Sequence, residues 1–188
     1  MKPIFIEIYK AARVYWNTRF NDIHIPLSYD FARRLLLAYP EADEDVVVPA
    51  ILLHDNGWKM VSEERQLNAF GPNVTDKAAS RLHEMEGVRL AGEILTALEY
   101  DPDKTQEILT IIDGHDSRLE ALSLNDKLVK DADKLWRFTA TGLDIDHRRF
   151  ELDLAAYLAY MDDKIEAWFF TPAAREMART ELVNFKGV

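Results

Sequence analysis

Residues 43–58 read DEDVVVPAILLHDNGW, a strongly apolar stretch that ends in an adjacent histidine and aspartate. The apolar residues recur at helical spacing and predict a helix over residues 43–55, which Pro49 should either open or kink. Gly57 follows closely and predicts the end of that helix. His54 falls on the apolar face of the helix, so we expect its imidazole to point toward the protein interior.

The same helical period dominates the rest of the 188-residue chain, and no run alternates convincingly at period two. We therefore predict an all-α protein with little or no strand, folded as a single compact helical domain over residues 1–188. Residues 60–74 are expected to form a loop with room for a short helix, and Gly142 is expected to break the pattern. The other predicted helices cover residues 4–15, 24–39, 75–98, 103–115, 124–138, 148–167 and 172–183.

The composition excludes several classes of function. The chain contains no cysteine, so disulfides, thiolate zinc sites and cysteine nucleophiles are excluded, and a metal must be held by imidazole and carboxylate. The net charge of −10 does not attract a nucleic-acid polymer, but a bound metal can reverse the charge locally for a phosphorylated substrate. No segment is apolar enough to span a membrane or to act as a signal peptide, so we expect a cytoplasmic protein without membrane contact.

Four of the five histidines fall on apolar helix faces: His24, His54, His83 and His115. A lone histidine in such a position is usually a hydrogen-bonded core residue. Four of them are harder to explain in that way, because each buried polar group without a partner costs about 1–3 kcal/mol. A shared metal gives every imidazole a strong partner, so the pattern favours a metal site. His147 lies among charged residues and is expected to be solvated.

Aspartates supply the remaining candidate ligands. Asp55 follows His54 directly, at a helix end where the backbone can turn both side chains toward one centre. Further along the chain, Asp131 and Asp133 stand two residues apart on one predicted helix. Each shares a face with apolar residues, so periodicity does not separate them.

The arrangement of these residues resembles the HD-domain superfamily of metal-dependent phosphohydrolases. The signature of that superfamily is a histidine, then an adjacent His-Asp pair, then a distant aspartate, and the corresponding residues here are His24, His54, Asp55 and Asp133. The resemblance covers about residues 20–138. It implies a helical metal-binding core over that range, with helices over residues 148–184 packed on it.

Two short segments carry the resemblance most closely. Residues 50–58, AILLHDNGW, look like the apolar helix of the superfamily that ends in His-Asp-x-Gly. Residues 130–135, KDADKL, look like its Ala-Asp-Lys/Arg-Leu segment, in which the ligand is the aspartate before the basic residue. The resemblance therefore favours Asp133 over Asp131.

A subset of the superfamily carries two more histidines between the pair and the last aspartate, and His83 and His115 fit that insertion. Such members resemble two-metal sites in which the aspartate of the pair bridges both ions, so a binuclear centre is implied here. Iron or manganese is expected, while zinc, cobalt and nickel also suit these ligand types. The implied metal ligands are His24, His54, Asp55, His83, His115 and Asp133.

The activity that the resemblance implies is hydrolysis of a phosphate mono- or diester, with nucleotides among the candidates, by a metal-activated hydroxide. Asp55 and Asp116 are candidate catalytic residues, with Asp116 orienting water or a ligand. Many two-metal members carry a lysine three residues after the aspartate of the pair; Trp58 stands there, and the adjacent Lys59 is the candidate for that role. Candidates for phosphate contact are Arg118, Lys134 and Arg137.

Two other functions are compatible with the same residues. Some proteins of this type use a di-iron centre and oxygen to cleave a carbon–carbon or carbon–phosphorus bond, and the ligand set does not separate them from hydrolases. A non-catalytic ligand-binding domain is the other alternative, and it predicts lost ligands. The C-terminal aromatic residues would either complete the core or form a homodimer surface: Tyr157, Tyr160, Trp168, Phe169 and Phe170.

Overall fold

The computed structural model describes residues 1–72 and 74–186, and within these ranges the chain is helical and contains no strand. The all-α prediction is confirmed. The α-helices are α1 (Pro3–Ala12), α2 (Asn21–Ala38), α3 (Glu44–Leu53), α4 (Glu63–Gln66), α5 (Lys77–Ala97), α6 (Pro102–Ile112), α7 (Leu124–Leu135), α8 (Ala140–Arg149), α9 (Leu154–Trp168) and α10 (Pro172–Lys186). Short 3-10 turns adjoin them at Arg13–Tyr15, Asn56–Met60 and Trp136–Phe138.

Helix α3 lies at the centre of the domain. Every residue from Val46 to Leu53 is buried, and the helix contacts α1, α2, α6 and α7. A helix that is apolar on all sides is stable only when it is surrounded in this way. Pro49 lies inside α3 and does not open it. The proline has no N–H for the carbonyl oxygen of Asp45, and the Tyr100 hydroxyl donates to that oxygen at 2.6 Å.

Gly57 has a different role from the predicted helix terminator. Helix α3 ends at Leu53, and Gly57 lies in the following 3-10 turn, which packs against α5. A Cβ atom at Gly57 would lie 1.9 Å from the carbonyl oxygen of His83 and 2.4 Å from the amide nitrogen of Gly87. Glycine is therefore required for close approach, and this approach brings the end of α3 next to His83.

Three expectations about helix boundaries are wrong. Helix α6 ends at Ile112, so His115 lies in a turn that includes Gly114 at φ +146° and not on the helix predicted over residues 103–115. The helix predicted over residues 148–167 is divided between α8 and α9 by a turn in which Glu151 has φ +51°.

The third error concerns Gly142, which lies inside α8 and does not break it. The helix begins after Thr139, whose hydroxyl oxygen accepts from the Gly142 amide at 3.0 Å. A Cβ atom at Gly142 would lie 2.1 Å from the carbonyl oxygen of Trp136, so the glycine permits a close contact between α8 and the start of the preceding 3-10 turn.

The C-terminal helices pack on the remainder of the domain, since α10 contacts α2, α7, α8 and α9. Among the described residues, no helix combines the length and the apolar character that crossing a membrane requires.

Candidate metal centre

The six predicted metal ligands converge on one place in the interior. They come from separate elements: α2, the end of α3, α5, the turn after α6, and α7. Their exposed fractions range from 0% to 9%. The six residues are His24, His54, Asp55, His83, His115 and Asp133.

One half of the cluster joins α2, α3 and α7. The Oδ1 atom of Asp133 lies 2.9 Å from His24 Nε2 and 3.2 Å from His54 Nε2. These three side chains place one ligand atom each within 4.8 Å of one another, a spacing that a single ion can span. His24 is also stacked on Trp136, with ring centroids 4.9 Å apart, which fixes the plane of its imidazole.

The other half of the cluster joins α5 to the turn after α6. His83 Nε2 and His115 Nε2 lie 3.3 Å apart. The Oδ2 atom of Asp116 lies 3.6 Å from the first nitrogen and 3.8 Å from the second, so Asp116 belongs to this half of the cluster. Trp58 stacks on His83 at 4.0 Å between ring centroids and holds that ring in place.

Asp55 lies between the two halves. Its Oδ2 atom is 3.2 Å from His24 Nδ1, while its Oδ1 atom is 3.4 Å from His115 Nε2 and 3.9 Å from His83 Nε2. The indole Nε1 of Trp58 donates to Oδ1 at 3.1 Å and orients the carboxylate. The Oδ1 atom also lies 3.7 Å from His54 Nε2, so this one oxygen faces histidines of both halves of the cluster.

The imidazole hydrogen bonds fit metal ligation. The Nδ1 atoms of His54 and His115 lie 2.8 and 3.0 Å from the carbonyl oxygens of Ile51 and Ile112, which can only accept. Each Nδ1 is therefore the donor, and in the neutral ring Nε2 carries a lone pair. The His54 lone pair then points at the carboxylate of Asp133, an arrangement that needs a cation or a proton between them.

The carboxylates of the cluster favour positive charge on the groups around them. Burial acts to raise the pKa of Asp55 and Asp133, but the surrounding histidines hold both well below the usual range. Burial acts to lower the pKa of His115, yet Asp116 and Asp55 outweigh it and raise the value to about 9. Burial and the neighbouring His115 lower the pKa of His83 to about 4, so this ring is neutral and able to ligate.

The structure separates the two aspartates of α7. Asp133 faces the cluster, whereas Asp131 accepts hydrogen bonds from the amides of Phe170 and Thr171 at 2.8 and 2.9 Å and from the Thr171 hydroxyl at 2.7 Å. The Thr171 hydroxyl oxygen in turn accepts from the Ala174 amide, in the first turn of α10. Asp131 therefore anchors the C-terminal helices to α7.

This division predicts opposite results for metal binding in matched substitutions. Asp131→Asn should lower the free energy of unfolding of the metal-free protein by roughly 1–3 kcal/mol, because the amide turns a donor toward buried donors, and it should leave metal binding intact. Asp133→Asn should lose metal, and it should also lower the free energy of unfolding of the metal-free protein, because His24 and His54 hold the pKa of this carboxyl well below its usual range in the folded state. Urea unfolding and metal analysis of both variants check this, and metal loss from folded Asp131→Asn would contradict the assignment.

Two predicted site residues are not brought to the cluster. Lys59 is exposed on the 3-10 turn after Asp55. Arg118 is used elsewhere: its guanidinium donates to the carbonyl oxygens of Thr110 and Asp113 at the end of α6 and to Asp126 at 3.1 Å. The catalytic role of Lys59 and the phosphate contact of Arg118 are therefore not supported.

A cavity of about 220 Å³ lies beside the cluster and opens on Asp116 and Asp133. Lys134 and Arg137, both predicted phosphate contacts, line it. Its walls are rich in aromatic side chains, several from the C-terminal helices: Phe70, Phe150, Tyr157, Tyr160 and Trp168. Part of the C-terminal aromatic set therefore lines this cavity, while Phe169 is buried in the core.

Arg19 is a site residue that the sequence reasoning missed. Its side chain is 6% exposed, and Nη1 lies 3.5 Å from Asp55 Oδ2. The guanidinium is 3.9 Å from the ring centroid of Trp58 and 3.7 Å from that of Phe70. Burial lowers the pKa of Arg19 to about 10, although Asp55 opposes this effect. No sequence motif marks Arg19. Its backbone and that of residue 20 are left-handed, a conformation that the local sequence does not predict.

Comparison with known proteins agrees with this geometry. The family model of the HD domain matches residues 22–137, which is more than half of the chain. No curated protein matches. The crystal structure of a predicted HD superfamily hydrolase from an uncultured Thermotogales bacterium is similar, with a TM-score of 0.63 and 20% identity over 97% of this chain and 88% of that one. At that identity the likeness concerns the fold.

Proposed function

This chain belongs to the HD domain family of metal-dependent hydrolases, and on that premise we propose that it hydrolyses a phosphate ester of a small molecule at a binuclear metal centre. One observation carries the proposal. The cavity that opens on Asp116 and Asp133 also presents Lys134 and Arg137, so metal ligands and two cationic side chains line the same small space. A phosphoryl group is the anion that such a combination suits best.

The distances support the following ligand roles. His24, His54 and Asp133 would hold one ion, His83 and His115 would hold the other, and Asp55, whose Oδ1 faces His54 and His115, would lie between the two ions. Divalent ions held there would lower the pKa of a water molecule and neutralise charge on phosphoryl oxygens. Imidazole with carboxylate suits iron or manganese.

The cationic side chains of Lys134 and Arg137 differ in how firmly they are held. Arg137 is paired with buried Asp146, which fixes its guanidinium at the cavity wall. The Nζ atom of Lys134 lies 3.9 Å from Asp133 Oδ2, and this side chain is 23% exposed. We therefore assign Arg137 to orienting the phosphoryl group and Lys134 to binding its charge.

Asp116 lies where the cavity meets the second half of the cluster, and its side chain is 37% exposed. Because a carboxylate there accepts hydrogen bonds, we assign Asp116 to orienting the attacking water. Aromatic walls favour a flat organic group on the ester, so aryl phosphates and nucleotides are the first substrates to try.

The test is phosphate release from aryl phosphate monoesters, aryl phosphodiesters and nucleotides by protein loaded with Mn²⁺ or Fe²⁺. Lys134→Gln should reduce kcat/KM by about 10- to 100-fold, mainly through KM, since a charged hydrogen bond contributes about 1.5–3 kcal/mol. Metal content should not change. Lys127→Gln, an exposed lysine on the same helix, is the matched control and should behave as the parent.

No phosphate release from any ester by fully loaded protein would contradict the proposal. Oxygen consumption coupled to product formation, without phosphatase activity, would favour the di-iron oxygenase alternative.

A further inference from the structure

Two buried charged residues hold the turn that carries His115 and Asp116. Glu84 on α5 is 0% exposed and Lys130 on α7 is 1% exposed. Neither belongs to the metal ligands described above. Burial of a charge costs several kcal/mol unless hydrogen bonds compensate for the lost water, so the contacts of these two residues identify what they stabilise.

Lys130 binds the carbonyl side of the turn. Its Nζ atom donates to the carbonyl oxygens of Gly114 at 2.6 Å, His115 at 2.9 Å and Arg118 at 2.9 Å. An ammonium group has three N–H donors, so all of them are used on this one turn. The carbonyl orientations of the turn are thereby fixed.

Glu84 binds the amide side of the same turn. Its Oε1 atom accepts from the backbone amides of Asp116 at 3.1 Å and Ser117 at 2.8 Å. Its Oε2 atom accepts from the Ser117 hydroxyl at 2.7 Å and from Arg81 at 2.9 Å. Hydrogen bonds to a charged acceptor are stronger than those between neutral groups. Glu84 and Lys130 therefore hold opposite ends of the peptide groups in one turn.

We call the ion that His24, His54 and Asp133 would hold the first ion, and the ion that His83 and His115 would hold the second ion. Support of the turn matters more for the second ion than for the first. His24 and Asp133 lie within α2 and α7, where the helical backbone fixes their positions. His115 and Asp116 follow Gly114, whose φ of +146° is open to glycine and rarely to other residues. A flexible turn would let both side chains move away from His83.

We infer that Glu84 and Lys130 are positioning residues for the second ion. They fix His115 and Asp116 relative to His83 and so set the affinity of that ion, while the first ion depends on the helices. The inference rests on the two-ion centre of the proposed function. Partners that orient metal ligands from behind contribute about 10- to 100-fold to metal affinity in other proteins.

The experiment is a calorimetric titration of metal-free protein with Mn²⁺ alone. The parent should show two binding steps. Glu84→Ala and Lys130→Met should weaken one of the two steps by about 10- to 100-fold and leave the other within about twofold. Glu84→Gln should lie between them and the parent, because an amide oxygen still accepts from the backbone. Exposed residues on the same helices provide the controls Glu93→Ala and Lys127→Met, which should match the parent.

Circular dichroism and thermal unfolding of each metal-free variant establish which ones fold. If Lys130→Met does not fold, the titration is made with Glu84→Gln and Ser117→Ala, since each of them removes only part of the contacts to the turn. Two steps at parental affinity in the folded variants would overturn the inference and leave the proposed function in place. Equal weakening of both steps would also overturn it, because that indicates a general loss of structure. A single step in the parent would reject the two-ion centre itself.

Discussion

Asp55→Asn should abolish binding of both ions and reduce hydrolysis by about 1,000-fold or more. The Oδ1 atom of Asp55 faces both halves of the cluster, at 3.7 Å from His54 Nε2 and 3.4 Å from His115 Nε2. A neutral amide cannot bridge two cations. The metals contribute several kcal/mol to transition-state stabilisation, and about 1.36 kcal/mol corresponds to a tenfold change in rate.

The shape of the side chain is retained in this variant, so the loss should not come from unfolding. Metal-free Asp55→Asn should unfold at a lower denaturant concentration than the parent, because the surrounding histidines hold the pKa of Asp55 well below its usual range and the variant loses this pairing. Circular dichroism establishes that the variant is folded before its metal content is measured. Metal content after reconstitution and phosphate release are the measurements. Asp163→Asn on the exposed side of α9 is the matched control and should retain both. Two bound ions in Asp55→Asn would show that Asp55 is not the bridge.

Gly57→Ala should destabilise the metal-free protein by about 3 kcal/mol and also weaken the second ion. The new methyl group would meet backbone atoms of α5, at 1.9 Å from the His83 oxygen and 2.4 Å from the Gly87 nitrogen. Backbone atoms cannot rotate away as a side chain does, so α5 must move. His83 would then leave its place beside His115.

Gly92→Ala is the matched control for this prediction, because it adds the same methyl group to α5 where the nearest atom, on Leu109, lies 3.7 Å away. It should be neutral or stabilising by up to about 1 kcal/mol, since alanine favours the helix more than glycine does. Urea unfolding measures both variants. Equal stability of the two would refute the close-contact explanation.

The helical class and the ligand types could be predicted because both depend on local information. A period near 3.6 is visible in any window of a dozen residues, and the absence of cysteine leaves imidazole and carboxylate as ligands. The boundary errors occurred at Gly114, Gly142 and Glu151, where the backbone conformation or the local packing is not predicted by periodicity. Inside α8, Gly142 lies so close to Trp136 that a larger residue would collide with it. Gly114 lies two residues after the end of α6 and has a positive φ.

The choice among candidate residues depended on partners that are distant in the sequence. Asp131 and Asp133 have the same local pattern, and they differ because Thr171 binds one while His24, 109 residues from Asp133, contacts the other. Lys59 and Arg118 are basic residues close to predicted ligands in the sequence. Lys59 is nevertheless exposed, and Arg118 donates a hydrogen bond to the carbonyl oxygen of Thr110 near the end of α6.

The amino-acid sequence alone determined that this protein is helical, that an apolar helix leads directly into His54 and Asp55, and that histidines and aspartates are available for a metal. Those properties follow from periodicity and side-chain chemistry. Only the tertiary structure decided that Asp55 faces both halves of the cluster, that Arg19 lies beside it, and that Glu84 and Lys130 hold one turn. These are contacts between separate elements of the fold, and a local sequence pattern does not predict them.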